Sequence, residues 1–156
     1  MSKIYLSAKL PELGTNLLKK AGLDYQVYEG VGLISKKELI KNISDCEVLI
    51  CPLSTQVDRE VIDAAPELKL IANFGAGFNN IDSAYAKEKK IYVTNTPVVS
   101  TNATAELTAG LIISLSRRIV EGDSLMHDQG FDGWAPLFFL GHELKNKTLG
   151  IIGLGQ

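Results

Sequence analysis

No apolar run in this chain approaches the ~20 residues that cross a bilayer. The longest, such as Leu111-Ile112-Ile113-Ser114-Leu115, fall far short, which excludes a membrane-spanning helix. Net charge is scarce too, at −2, so electrostatics gives no reason to expect nucleic acid or an anionic membrane as partner. Only two cysteines are present, Cys46 and Cys51, spaced C-x4-C around a predicted strand. Zinc sites use a second ligand pair, and His127 and His142 lie too far apart in sequence to supply one. The thiols read as small core hydrophobes, and no metal is assigned. Lys9 and Glu12 interrupt the N-terminus too early for a secretory leader. The expected compartment is the cytoplasm.

What remains is an ordinary globular composition, 46% hydrophobic and 22% charged over 156 residues, enough for one domain with an appendage. Five apolar, β-branched runs recur at residues 3–8, 24–28, 47–53, 68–74 and 91–94. Helix-type segments separate them. Residues 11–21 carry Leu13, Leu17 and Leu18 on one face and end at Gly22. Ser35-Lys36-Lys37-Glu38 is a capping box, opening a helix with Leu39, Ile40 and Ile43 on its apolar side. Asp58 and Asp82 stand where N-caps belong, ahead of short helices. The alternation predicts an α/β fold: a flavodoxin-like, doubly wound, parallel five-stranded sheet over residues 1–100, strand order 2-1-3-4-5, with helices on both faces.

Thr96-Pro97 breaks the rhythm. Residues 100–118 then read as a longer helix, capped near Thr101 or Asn102, with Glu106 in its first turn. Its apolar residues cover much of its circumference, so it needs partners on more than one side, and self-association, or disorder after about residue 120, is expected. Residues 130–147 look like an ordered loop leading to a last strand at 149–152.

Ligands of open α/β sheets bind beyond the carboxyl ends of the strands. The most informative loop there is Phe74-Gly75-Ala76-Gly77-Phe78-Asn79-Asn80. Two glycines around one alanine let backbone N–H groups converge on a small carboxylate, and a plain tight turn fits them equally well. Ser54 and Thr55 are either ligand contacts or turn residues. Asn102-Ala103-Thr104-Ala105-Glu106 opens the long helix, where free N–H groups and the dipole favour phosphate. The final Gly153-Leu154-Gly155-Gln156 follows an apolar run, as the first two glycines of G-x-G-x-x-G do under a pyrophosphate. On that pattern the chain is expected to be the front part of a larger dinucleotide-dependent protein. His127 and His142 lack a convincing carboxylate partner and are not assigned to catalysis. The Lys87 to Lys90 cluster reads as a solvated helix face.

Four ordered motifs carry a family resemblance. Asn73-Phe74-Gly75-Ala76-Gly77-Phe78-Asn79-Asn80-Ile81-Asp82, Val93-Thr94-Asn95-Thr96-Pro97, Asn102-Ala103-Thr104-Ala105-Glu106-Leu107 and Lys147-Thr148-Leu149-Gly150-Ile151-Ile152-Gly153-Leu154-Gly155 occur in the order typical of D-isomer-specific 2-hydroxyacid dehydrogenases. Phe131-Asp132-Gly133-Trp134-Ala135-Pro136 with Gly141 resembles the glyoxylate/hydroxypyruvate reductase branch, with phosphoglycerate dehydrogenase a near relation. The likeness is strong over residues 45–156 and mainly architectural over 1–44.

The resemblance implies reduction of a 2-keto acid to a D-2-hydroxy acid with NAD or NADP as cofactor. It implies a substrate domain at 1–100, then an interdomain helix and the start of a Rossmann nucleotide-binding domain at 101–156. Gly75, Ala76 and Gly77 would hold the substrate carboxylate, with Leu53 and Ser54 lining the same cleft. Thr104, Gly153, Gly155 and Gln156 would face the cofactor, and subunits would pair as a homodimer. The family's catalytic Arg, Glu and His have no counterpart in these 156 residues. No catalytic residue is therefore assigned, and the chain alone is expected to be inactive.

Two other classes compete. A receiver domain needs acidic residues where Lys9 and Pro52 stand, and a flavodoxin needs a phosphate loop where Lys9-Leu10-Pro11-Glu12 stands. Both are disfavoured. A non-catalytic dinucleotide sensor or corepressor on the same scaffold remains the alternative.

Overall fold

The computed structural model describes residues 3–128 and 130–155. They divide into two compact units, 1–99 and 100–156. In the first, strands β1 (Ile4–Leu6), β2 (Tyr25–Val27), β3 (Val48–Pro52), β4 (Leu70–Phe74) and β5 (Tyr92–Thr94) alternate with helices α1 (Glu12–Lys20), α2 (Lys36–Ile43), α3 (Arg59–Asp63) and α4 (Ser83–Glu88). All pairings are parallel, in the order β2-β1-β3-β4-β5. This is the α/β topology expected from the sequence, with each strand shorter than its apolar run.

Three helices begin as the capping residues dictate. The Ser35 side chain accepts from Glu38 N at 3.3 Å, Asp58 from Val61 N at 3.2 Å and Asp82 from Tyr85 N at 2.9 Å. Each satisfies an amide that the helix itself leaves unpaired. With right-handed crossovers, this strand order puts α2, α3 and α4 on one face of the sheet and α1 on the other. The faces are therefore unequal. Leu49, Cys51 and Ile71 are fully buried with Leu39, Ile43, Val61 and Ile62, whereas the alternate positions Val48, Ile50, Leu70 and Ala72 are half-buried. α1 buries nothing, and Leu13 and Leu17 on its apolar side are exposed.

A single parallel bridge, Val57 to Ile81, joins the segments beyond the two central strands. Val57 N donates to Asn80 O at 2.7 Å and Asp82 N to Val57 O at 3.0 Å. This crossing carries Asn80 under the loop after β4.

The second unit holds α5 (Thr101–Ser116) and α6 (Ile119–Asp128). Ser100, not Thr101 or Asn102, is the N-cap of α5, with no side-chain cap bond. Glu106 lies past the first turn, so the expected interaction with the helix dipole does not arise. α5 has no buried residue. α6 was not foreseen, because Arg117-Arg118 reads as a helix end. The chain does stop there: Arg118 takes a φ of 55°, and a second helix then starts. Beyond it, Phe131 and Phe138 stack with centroids 6.0 Å apart, and the Arg118 guanidinium lies 4.2 Å from the Phe139 ring centre. His142 N donates to Ser116 O at 2.6 Å. A Cβ on Gly141 would sit 2.8 Å from Ser116 O, so this contact requires glycine.

The expected strand at 149–152 is not formed, and Leu149, Ile151 and Ile152 are exposed. A parallel strand needs a neighbour to pair with, and among the described residues of this unit there is no other strand.

Candidate functional site

The carboxyl ends of β3 and β4 gather the residues singled out from the sequence. After β4 the chain turns at once, Gly75 N donating back to Asn73 O at 3.0 Å. The next three carbonyls are all held. Gly75 O accepts from Thr96 N at 2.9 Å, Ala76 O from Asn95 Nδ2 at 2.8 Å, and Gly77 O from Asn73 Nδ2 at 2.7 Å. Among the described residues, the amides of Ala76 and Gly77 donate to nothing. Pinning the Gly75 and Ala76 carbonyls orients the two peptide planes that carry the Ala76 and Gly77 N–H groups, so this consecutive pair is left free and fixed on an exposed loop. Such a pair suits an anion of carboxylate size.

The Gly75 amide is committed to the turn and is not part of that pair. Its side-chain position matters instead. A Cβ there would lie 2.4 Å from Leu53 Cγ, so Leu53 from the β3 loop rests directly on Gly75. Nothing lies within 4 Å of a Cβ built on Gly77. Leu53, 48% exposed, and the exposed Ser54 thus border the same loop. Thr55 does not. Its hydroxyl is buried and 2.8 Å from that of Ser7, a structural role that the sequence left open.

Beneath the loop lies a polar network that the sequence reading missed. Ser7, Thr55, Asn73 and Asn80 are the buried polar residues of the described chain. Asn80 Nδ2 donates to Thr55 O at 2.9 Å and Asn73 Oδ1 at 3.1 Å. The acceptors fix which way both amides point, since a flip of either would oppose oxygen to oxygen. Asn80 Oδ1 has no partner among the described residues, a cost of ~1–3 kcal/mol for a buried acceptor. Asn73, Asn80, Asn95 and Thr96 all belong to motifs visible in the sequence. Their positions were legible, but their directions were not.

Cys51 closes the network from below, its Sγ 3.7 Å from Asn73 Oδ1, and burial pushes its thiol up to about 12. It is no nucleophile at neutral pH. No group of three potential metal ligands occurs among the described residues. A surface concavity of about 870 Å³ runs beside β2, lined by Lys19, Leu23 and Tyr25 among others. It lies along the outer sheet edge and not at the strand ends where the free amides converge.

In the second unit, Thr104 is exposed in the first turn of α5, its carbonyl accepting from the Thr108 hydroxyl at 2.7 Å. Gly153 takes a φ of 79°, a conformation that favours glycine, and Gly155 is exposed nearby. Gln156 lies outside the described residues. His127 does have a carboxylate neighbour after all, Asp123 one turn back on α6 at 3.5 Å. That pairing was hidden because α6 itself was not foreseen. Both side chains are exposed.

Comparison with known proteins places these features. The family described as D-isomer specific 2-hydroxyacid dehydrogenase, catalytic domain, matches residues 4–150. A Staphylococcus aureus (strain MRSA252) protein named for the 2-hydroxyacid dehydrogenases is 58% identical over the whole chain, which covers 49% of that protein. The chain spans about half the length of the curated relatives it matches. Among solved structures, the TT0316 protein of Thermus thermophilus superposes with a TM-score of 0.84 at 35% identity, covering 90% of this chain and 45% of that one. An NAD+-bound 3-phosphoglycerate dehydrogenase of Entamoeba histolytica matches at 31% identity and TM-score 0.64, covering 75% of this chain and 40% of that one. No helix among the described residues is long and apolar enough to cross a membrane.

Proposed function

The chain belongs to the D-isomer specific 2-hydroxyacid dehydrogenase family, and from that premise we propose that its parent protein reduces a small 2-keto acid, of the glyoxylate or hydroxypyruvate class, to the D-2-hydroxy acid. The observation that carries this reading is the pair of unpartnered amides at Ala76 and Gly77, on a loop whose carbonyls are all tied back. Amides in a fixed orientation bind a carboxylate without reorganising and without a proton equilibrium of their own. Gly75 keeps the loop close to Leu53, and Leu53 and Ser54 form the adjoining wall on which the rest of the substrate lies.

The cofactor is NAD or NADP, and it supplies the hydride. Toward it this chain would offer Thr104 on α5, Gly153 and Gly155 at a turn whose left-handed backbone at Gly153 suits a close approach by phosphate, and Gln156 next in sequence. Residues 1–99 then act as the substrate domain, and residues 100–156 as the interdomain helix and the opening of a Rossmann nucleotide-binding domain. The exposed apolar side chains of α5, Leu107, Leu111 and Leu115 among them, suit burial in a homodimer in the cytoplasm.

This chain holds the carboxylate and orients the carbonyl. The residues assigned to the site include no acid–base group, and hydride transfer needs cofactor, anchor and acid held together. The 156-residue chain is therefore inactive by itself. Oxidation of NADH and NADPH by glyoxylate and hydroxypyruvate is the test: the parent protein turns over with at least one pair, and the chain alone with none. Turnover by the chain alone would overturn the division of labour. A parent that binds dinucleotide without turnover would favour the regulator reading.

A further inference from the structure

The described residues bury few polar side chains, and those they bury form one connected path. It starts at Ser7 on the end of β1, passes to the Thr55 hydroxyl at 2.8 Å, and continues from Thr55 O to Asn80 Nδ2 at 2.9 Å. From Asn80 it reaches Asn73 Oδ1 at 3.1 Å, and Asn73 Nδ2 ends it on Gly77 O at 2.7 Å. Asn80 Nδ2 also lies 3.5 Å from Pro52 O. One primary amide therefore holds the β3 loop and the β4 strand end together, and a second holds the loop that β4 feeds. Asn73 is 3% exposed and Asn80 7%, so neither can touch a ligand.

We infer that Asn73 and Asn80 are positioning residues: together they lock the Leu53-Ser54 loop to the Gly75-Ala76-Gly77 loop and fix the peptide plane that follows Gly77 before any ligand arrives, while Thr96 N and Asn95 Nδ2 hold the planes that carry the Ala76 and Gly77 amides. The inference rests on the carboxylate reading given above for what the amides hold, and on the observed bonds for the lock itself. The physical reason is direct. A Gly77 carbonyl without its donor is free to rotate about the flanking torsions, and glycine has no Cβ to resist that rotation. With the carbonyl tied, the 77–78 peptide plane loses that freedom, as the Asn95 bond to Ala76 O already denies it to the 76–77 plane, and the entropic cost of fixing them is not charged to ligand binding.

The test uses the 156-residue chain and glyoxylate. Amide resonances are followed by heteronuclear NMR without ligand, and affinity is measured by titration. In Asn80→Ala, which cuts the link between loops, the ligand-free resonances of Ala76 and Gly77 move together with those of Leu53 and Thr55. In Asn73→Leu, which keeps the side-chain size but removes the bonds to Gly77 O, Asn80 Nδ2 and Cys51 Sγ, glyoxylate binds at least tenfold more weakly. Val61→Ala, a core truncation remote from the network, lowers Tm and leaves the glyoxylate affinity unchanged. The inference is overturned if Asn80→Ala perturbs only one of the two loops. It is equally overturned if Asn73→Leu binds as the unsubstituted chain does, or if Val61→Ala weakens binding as much as Asn73→Leu. Should the unsubstituted chain ignore glyoxylate while Asn80→Ala still moves both loops, the carboxylate reading falls and the lock stands.

Discussion

Single side chains separate what holds this protein together from what it presents. Cys51 shows the first kind. It sits in the β3 core against Asn73, and its thiol is raised to about 12 by burial; Cys46 is buried and raised by the same cause. Neither forms thiolate at neutral pH, and neither is accessible. A thiol reagent at pH 8 therefore leaves the native chain unlabelled, and both cysteines react once denaturant is added. Rapid labelling of Cys51 in the native state would mean that the network above it is open. Leu53 and Gly75 show the second kind, an exposed leucine resting on a residue that has room only for hydrogen. The sequence marked Gly75, Ala76 and Gly77 as a candidate anion loop, with a plain tight turn fitting equally well. It did not reveal that Gly75 spends its amide on the turn, because a hydrogen-bond direction depends on torsions that residue type leaves open.

Elements were read most securely where local chemistry decides them. Ser35, Asp58 and Asp82 each cap the helix they precede, since a short side chain can satisfy a free amide only from that position. Asp58 does two things at once, accepting from Val61 N at 3.2 Å and pairing with Lys36 at 2.7 Å. The Lys36 bond, with the Val61 amide in support, holds its carboxyl below the ordinary carboxylate range. A depressed folded pKa gives stability that is present above the unfolded value, ~4, and is lost as pH falls through the folded value. Asp58→Ala lowers stability at pH 7 by about 1 kcal/mol, the usual worth of an N-cap. Asp58→Asn keeps the cap and shows a weaker loss of Tm between pH 5 and pH 3. An unchanged acid profile in Asp58→Asn would remove Lys36 from the explanation.

The elements read wrongly share one cause, which is that their state depends on partners and not on local sequence. Residues 149–152 have the composition of a strand but no strand beside them. α6 begins one residue after a left-handed Arg118, a conformation that no motif announces. α1, by contrast, forms where it was read, and only its apolar stripe stays exposed, because amphipathicity records what a helix can bury and not what it meets.

At the scale of the whole molecule, strand order followed from rhythm alone. Short loops and apolar runs at even intervals leave few parallel topologies once crossovers are right-handed. The order in turn brings the ends of β1, β3 and β4 side by side, and with them Ser7, Thr55, Asn73 and the glycine loop. On the proposed reading this edge is one half of a keto-acid site, built from backbone and braced from below, and binding and turnover are then expected to separate.

The central claim is that the two free amides grip a carboxylate, and a crystal structure of this chain with glyoxylate tests it most directly. The account predicts carboxylate oxygens at hydrogen-bond distance, ~2.7–3.2 Å, from Ala76 N and Gly77 N, with Leu53 alongside. Glyoxylate bound elsewhere, or these two amides turned inward to protein acceptors, would contradict it.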